Sequence, residues 1–84
     1  MATHEVKIED MTFDPTPVEI KKGDSVVWKN EDSMAHTATA DDKKWDTGRI
    51  PAGQSSKPIT FAAAGNSPYH CEIHKMMKGV VKAT

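Results

Sequence analysis

Apolar and polar residues alternate with period two along most of the chain. From Thr3 to Glu9, Val6 and Ile8 fall on one side and Glu5, Lys7 and Glu9 on the other, the pattern of a half-buried strand. Asp14-Pro15-Thr16-Pro17 interrupts it; two prolines so close cannot donate to a central ladder, so this stretch is an edge or a loop. Val18 and Ile20 resume the alternation, and Lys21-Lys22-Gly23-Asp24 reads as a turn. Ser25 to Asn30 is the strongest strand, with Val26 and Trp28 on one face and Val27 on the other. A polar loop follows, and then His36, Ala38 and Ala40 share a face while Thr37 and Thr39 point away. Ile59 and Phe61 mark a further strand, Tyr69 and Cys71 share a face after Pro68, and Val80 to Ala83 closes the chain. Seven or eight short strands at intervals of roughly 8–12 residues predict an all-β Greek-key sandwich. A small closed barrel is the other fold that this periodicity allows.

Composition sharpens the strand reading. The chain has 6 Val, 5 Ile and 8 Thr and no Leu, and branching at Cβ favours strands over helices. At 84 residues it makes a single domain, residues 1–84. With 11 Lys+Arg against 12 Asp+Glu, it lacks the basic excess of a nucleic-acid binder. No apolar run is long enough to enter a bilayer as a spanning helix, and no N-terminal stretch has the basic-then-apolar pattern of a signal peptide. One cysteine, Cys71, excludes an intrachain disulfide framework. So small a domain often needs another staple, and a metal is the natural substitute.

Chemistry concentrates in Tyr69-His70-Cys71-Glu72-Ile73-His74-Lys75-Met76-Met77. Cys71 and His74 are three residues apart, so one tight loop can turn both toward a point, and Met77 can reach it from another side. A short loop cannot surround an ion, so a further ligand must come from elsewhere; His36, beginning a strand after a polar loop, is the candidate. Thioether is a poor zinc ligand. Two imidazoles and a thiolate with a distant thioether suit copper in both oxidation states, as in a blue-copper electron-transfer site.

Cys71-x2-His74-x2-Met77, preceded by Gly65-Asn66-Ser67-Pro68-Tyr69-His70 and followed by Lys78-Gly79-Val80-Val81, resembles the copper loop of cupredoxins, closest to the short-loop amicyanin and plastocyanin-like members. Gly23 to Asn30 followed by His36-Thr37 resembles the strand leading to the family's first histidine ligand. The resemblance implies a Greek-key sandwich holding one type 1 copper, with His36, Cys71 and His74 equatorial and Met77, rather than its neighbour Met76, axial. It implies a monomeric carrier of single electrons between redox proteins, not an enzyme, with an exported or periplasmic location. Two positions depart from the family pattern. Thr37 stands where many members have Asn, keeping the backbone N–H but not the side-chain amide that helps tie the ligand loops. Lys75 stands where many have Pro. The connection between Ala40 and Ile59 is expected to be trimmed.

Other residues take quieter roles. His4, near the N-terminus, and His70, of opposite parity to Cys71, are not expected ligands. Trp28 is expected in the core, and Trp45 as a partner contact or a lid over the core. Glu31-Asp32 and Asp41-Asp42 read as solvated loop charges. A nucleophilic Cys–His enzyme would leave His36 and Met77 without roles and needs a cleft this chain has little room for. Copper storage, delivery or sensing is the alternative function for the same ligands. Partner redox proteins are expected to dock transiently near His74, inside an apolar collar of Ile73, Met34, Met76 and Pro51, with Lys75 and Lys78 favouring an acidic partner.

Overall fold

A computed structural model describes residues 1–84. Eight strands run in chain order: β1 Thr3–Glu9, β2 Thr12–Asp14, β3 Val18–Ile20, β4 Ser25–Asn30, β5 Thr39–Ala40, β6 Ile59–Thr60, β7 Gly65–His70 and β8 Lys78–Ala83. They form two four-stranded sheets, ordered β2-β1-β4-β6 and β3-β8-β7-β5. The fold is an all-β sandwich, and the barrel alternative is set aside. Val6 lies opposite Trp28 in the parallel β1–β4 pair, and Pro68 opposite Val80 in the antiparallel β7–β8 pair.

The period-two pattern becomes the inner faces of the two sheets. Val6, Ile8, Val26 and Trp28 from one sheet meet Val18, Ile20, Tyr69 and Val81 from the other, all buried. Pro68 lies within β7, yet it breaks no ladder. Its carbonyl accepts from Asp41 N–H at 3.0 Å, so its ring nitrogen faces the end of β5, where no ladder hydrogen bond is lost. Tyr69 and Gly79 face each other across β7 and β8, and a Cβ on Gly79 would lie 2.5 Å from the Tyr69 Cζ and Oη atoms. The missing side chain is therefore the space in which the phenol lies.

Two expectations are corrected and one choice between alternatives is made. His36 to Ala40 is not an alternating strand. All five residues are buried, only Thr39–Ala40 is strand, and His36 makes an isolated bridge to Ile50. The reason is that the segment after β5 folds back over the face Thr37 and Thr39 would have exposed: Thr39 Oγ1 donates to Asp46 Oδ1 at 3.0 Å. The strand β6 ends at Thr60, and Phe61, half-buried, packs against the core while its N–H still donates to the Asp24 carbonyl at 3.0 Å. Trp45 is a lid: it stacks on Trp28 with ring centroids 5.2 Å apart, and its Nε1–H donates to Ser67 Oγ at 2.8 Å.

Candidate metal centre

The β4–β5 and β7–β8 connections meet at one end of the sandwich. The second is a tight loop closed by its own backbone, with Met77 N–H donating to the His74 carbonyl at 2.9 Å and Cys71 N–H to the Met77 carbonyl at 3.1 Å. This closure turns Cys71 and His74 toward one point and carries Met77 back into the core. His36 arrives from the first connection, pinned to Ile50 by reciprocal hydrogen bonds of 3.1 and 2.7 Å. One donor atom from each of His36, Cys71 and His74 lies within 4.8 Å of the others. His36 Nδ1 is 3.8 Å from Cys71 Sγ and 3.3 Å from His74 Nδ1.

Burial separates these residues. His36, Cys71 and Met77 are buried, whereas His74 keeps an edge toward solvent. Met76 does not share the enclosure: it is 86% exposed, against 3% for Met77. His4 and His70 stand apart. His4 Nε2 pairs with Asp24 Oδ2 at 2.9 Å. His70 pairs through Nδ1 with Asp41 at 2.6 Å and through Nε2 with Glu72, and these hydrogen bonds, Asp41 first, raise it above the ordinary histidine range.

The polar groups around the donors fix their state. His36 Nε2–H donates to Asp32 Oδ2 at 2.9 Å, which leaves Nδ1 as a bare electron pair aimed at the other donors. Asp32 is not a solvated loop charge. Desolvation pushes its carboxyl upward, but hydrogen bonds from Met11 and Asp10 N–H and from His36 outweigh it and hold the group below the usual carboxylate range. Asp10 and Met11, at φ 53° and 61°, form the β1–β2 hairpin turn, the left-handed pair of a type I′ turn. Its two N–H groups reach Asp32 at 2.7 and 3.1 Å. Buried Asn30 completes the scaffold: Oδ1 accepts from Asp32 N–H, and Nδ2 donates to the Met34 and Ile50 carbonyls.

Cys71 Sγ accepts two backbone N–H groups, from Thr37 and His74, each at 3.4 Å. Both orient the sulfur and would remain its hydrogen-bond partners once it ligates a metal. The amide missing at Thr37 is replaced by its hydroxyl: Glu72 N–H donates to Thr37 Oγ1 at 2.9 Å, and Thr37 Oγ1 pairs with Thr39 Oγ1 at 3.0 Å. The two connections are therefore tied through a hydroxyl.

These donors fit a metal. With the His36 Nε2 proton directed to Asp32, its Nδ1 faces the Cys71 sulfur and the His74 ring nitrogen. Donors held about 2.0–2.3 Å from one ion and spread as a triangle sit about 3.5–3.9 Å apart, close to the 3.3 and 3.8 Å seen here. One thiolate and two imidazoles with a thioether nearby favour copper over zinc.

The family model for copper-binding proteins of the plastocyanin/azurin family matches residues 1–84. The chain belongs to this family. It is a copper-binding cupredoxin, similar to amicyanins. It is 30% identical over 80 residues to amicyanin of Paracoccus denitrificans, a match covering 90% of this chain and 61% of that sequence. To amicyanin-alpha of Methylorubrum extorquens it is 32% identical over 81 residues, covering 92% and 68%. The chain thus spans less than two thirds of the Paracoccus relative. Among solved structures, an oxidised proline-to-alanine mutant of amicyanin superposes with a TM-score of 0.87 at 28% identity, covering 98% of this chain and 82% of that one. A copper-containing nitrite reductase from Thermus scotoductus superposes at 0.88 and 27% identity, with 98% of this cupredoxin covering 22% of that chain.

Proposed function

We propose that this chain is a small blue copper electron carrier, acting as one copper-binding domain over residues 1–84 rather than as an enzyme. His36, Cys71 and His74 are its equatorial ligands and Met77 its axial ligand. The observation that carries this reading is the convergence of three donor atoms within 4.8 Å from two distant segments. Bound there, copper supplies a centre that takes up and releases one electron between Cu(II) and Cu(I).

The chain's own residues prepare that centre. Asp32 holds the His36 ring in one tautomer and one orientation, and the Thr37 and His74 N–H groups orient the sulfur. Burial of His36, Cys71 and Met77 excludes water from three sides. Because these contacts come from sheet ends and closed turns, the donors are held in place before a metal arrives, so little has to move when its charge changes. The solvent edge of His74 is the exit for the electron.

Met34, Ile73, Met76 and Pro51 are exposed apolar residues, and Lys75 and Lys78 are exposed cations; we read the four apolar residues as a collar around that edge. We assign the collar to brief docking of donor and acceptor redox proteins, with the lysines favouring an acidic face. A monomer in an exported or periplasmic compartment suits this role.

The test is one equivalent of Cu(II) added to the chain, followed by visible and electron paramagnetic resonance spectra. The expected result is an intense thiolate-to-copper band that bleaches on reduction and returns on oxidation without loss of metal. Cys71→Ser should abolish it. A colourless Cu(II) complex, or copper surrendered to a chelator at each cycle, would replace the carrier with a storage or delivery protein.

A further inference from the structure

A line of hydrogen bonds runs from the metal loop into the segment that folds back after β5. Glu72, the residue after Cys71, donates its N–H to Thr37 Oγ1 at 2.9 Å. Thr37 Oγ1 pairs with Thr39 Oγ1 at 3.0 Å, and Thr39 Oγ1 donates to Asp46 Oδ1 at 3.0 Å. Both threonines are buried, whereas Asp46 is exposed.

The protons give this line one direction. A hydroxyl has a single proton, and an ionised carboxylate only accepts. Thr39 directs its proton to Asp46, so the proton between the two hydroxyls belongs to Thr37. Thr37 Oγ1 then presents its lone pairs to the Glu72 N–H. Each bond polarises the next, so a carboxylate at one end makes a better acceptor at the other. Without Asp46 the Thr39 proton is free to turn toward Thr37 Oγ1. It would compete there with the Glu72 N–H and leave the Thr37 proton without an acceptor in a buried site.

The far end of the line is anchored to the core rather than to the metal donors. Asp46 bridges Thr39 in antiparallel register. On either side, Ala40 N–H donates to the Trp45 carbonyl and Thr47 N–H to the Ala38 carbonyl, each at 3.0 Å. Trp45, next to Asp46 in the chain, stacks on buried Trp28.

We propose that Asp46 is a positioning residue for the metal centre. Acting through Thr39 and Thr37, it fixes the peptide that follows Cys71 and so holds the ligand loop against the first connection. Its consequence for metal retention rests on the copper-site reading above; the hydrogen bonds themselves do not.

The test follows the Glu72 amide by nuclear magnetic resonance in the full chain, loaded with Cu(I) and again without metal. Asp46→Ala should move the Glu72 amide proton upfield and speed its exchange about two- to tenfold, the worth of one net hydrogen bond. Amides of β1 and β4 should keep their protection. Thr39→Val should do the same, and Thr39→Ser should restore the parent values. Asp46 Oδ1 also accepts from Gly48 N–H at 2.8 Å, so a second variant separates the turn from the line. In Thr39→Val, adding Asp46→Ala should change the Glu72 amide no further. An unmoved Glu72 amide in Asp46→Ala, or additive effects in the double variant, would overturn the proposal. With Cu(II) bound, Asp46→Ala should keep the thiolate-to-copper band and speed copper transfer to a chelator by a similar factor. A changed amide with unchanged copper release would confine Asp46 to the loop and overturn its role at the centre. A parent chain with no such band would instead overturn the copper reading, and the amide of the metal-free chain would still decide whether Asp46 holds the loop. Should Asp46→Ala not fold, Thr39→Val against Thr39→Ser decides alone.

Discussion

The two imidazoles of the metal centre lie 4.9 Å apart between centroids, yet the protein treats them differently. His36 is fully buried, bridged to Ile50 and held through its distal nitrogen by Asp32, which is itself held by a hairpin turn and by Asn30. His74 reaches solvent, and it is positioned by a loop of backbone hydrogen bonds. One wall of the centre is a polar scaffold rooted in the β1–β2 turn and the end of β4; the other is a thin loop at the surface. The contrast teaches how a small domain can hold a site rigidly and still leave it a door: polar burial is concentrated on one ligand and withheld from its partner.

The strongest way to break this contrast is Asp32→Ala. It frees the distal nitrogen of His36 and leaves two turn N–H groups without their acceptor. Charged hydrogen bonds of this kind are worth about 1.5–3 kcal/mol, and outer partners of metal-bound histidines about 10–100-fold in affinity. A fall of about 2–3 kcal/mol in denaturant stability, with weaker copper binding, is the expected outcome. Loss of stability without any change in copper affinity would show that Asp32 serves the hairpin alone.

Gly79→Ala tests the shared floor rather than either wall. The new methyl must displace the Tyr69 phenol, and overpacking of this kind costs about 1–3 kcal/mol. Chemical denaturation should show that loss, and Tyr69→Phe in the same chain should recover part of it.

Thr37→Val removes the hydroxyl that ties the connections and keeps the N–H to sulfur. An unsatisfied Glu72 N–H costs about 1–2 kcal/mol. The visible band, if Sγ is held mainly by backbone, should persist with little shift in position; its disappearance would make the hydroxyl part of the centre.

The smallest effect lies far from the site. Asp24 is lowered from 3.8 to about 2 by hydrogen bonds from Ala2 N–H, then His4 and Lys21 N–H. A carboxyl lowered on folding stabilises the native state above its ordinary value, and that contribution disappears as pH falls through the lowered one. The difference in thermal midpoint between the parent chain and Asp24→Asn should therefore be constant above pH 3.8 and shrink toward pH 2. A difference that grew in acid would reverse the assignment.

Much of this was readable in one dimension. Alternation alone paired Val6 with Ile8 and Val26 with Trp28 on shared faces, and all four are buried. The spacing of Cys71, His74 and Met77 encoded a loop that folds on its own backbone, a local matter. Asp32 was not readable. Its identity in a polar loop is that of any solvated acid, and only the packing of the β1–β2 hairpin against the β4–β5 connection turns it toward His36. Thr37 and Trp45 share that difficulty. Their roles depend on Glu72 and Ser67, which stand 35 and 22 residues away.

Periodicity, turn residues and one dense ligand motif are short-range signals, so the chain by itself determined that it is a strand sandwich with a metal loop near its end. Which polar groups would brace that loop, which imidazole would be sealed and which left open, was decided only when the two sheets closed. Hydrogen bonds between distant loops have no period for a linear pattern to carry.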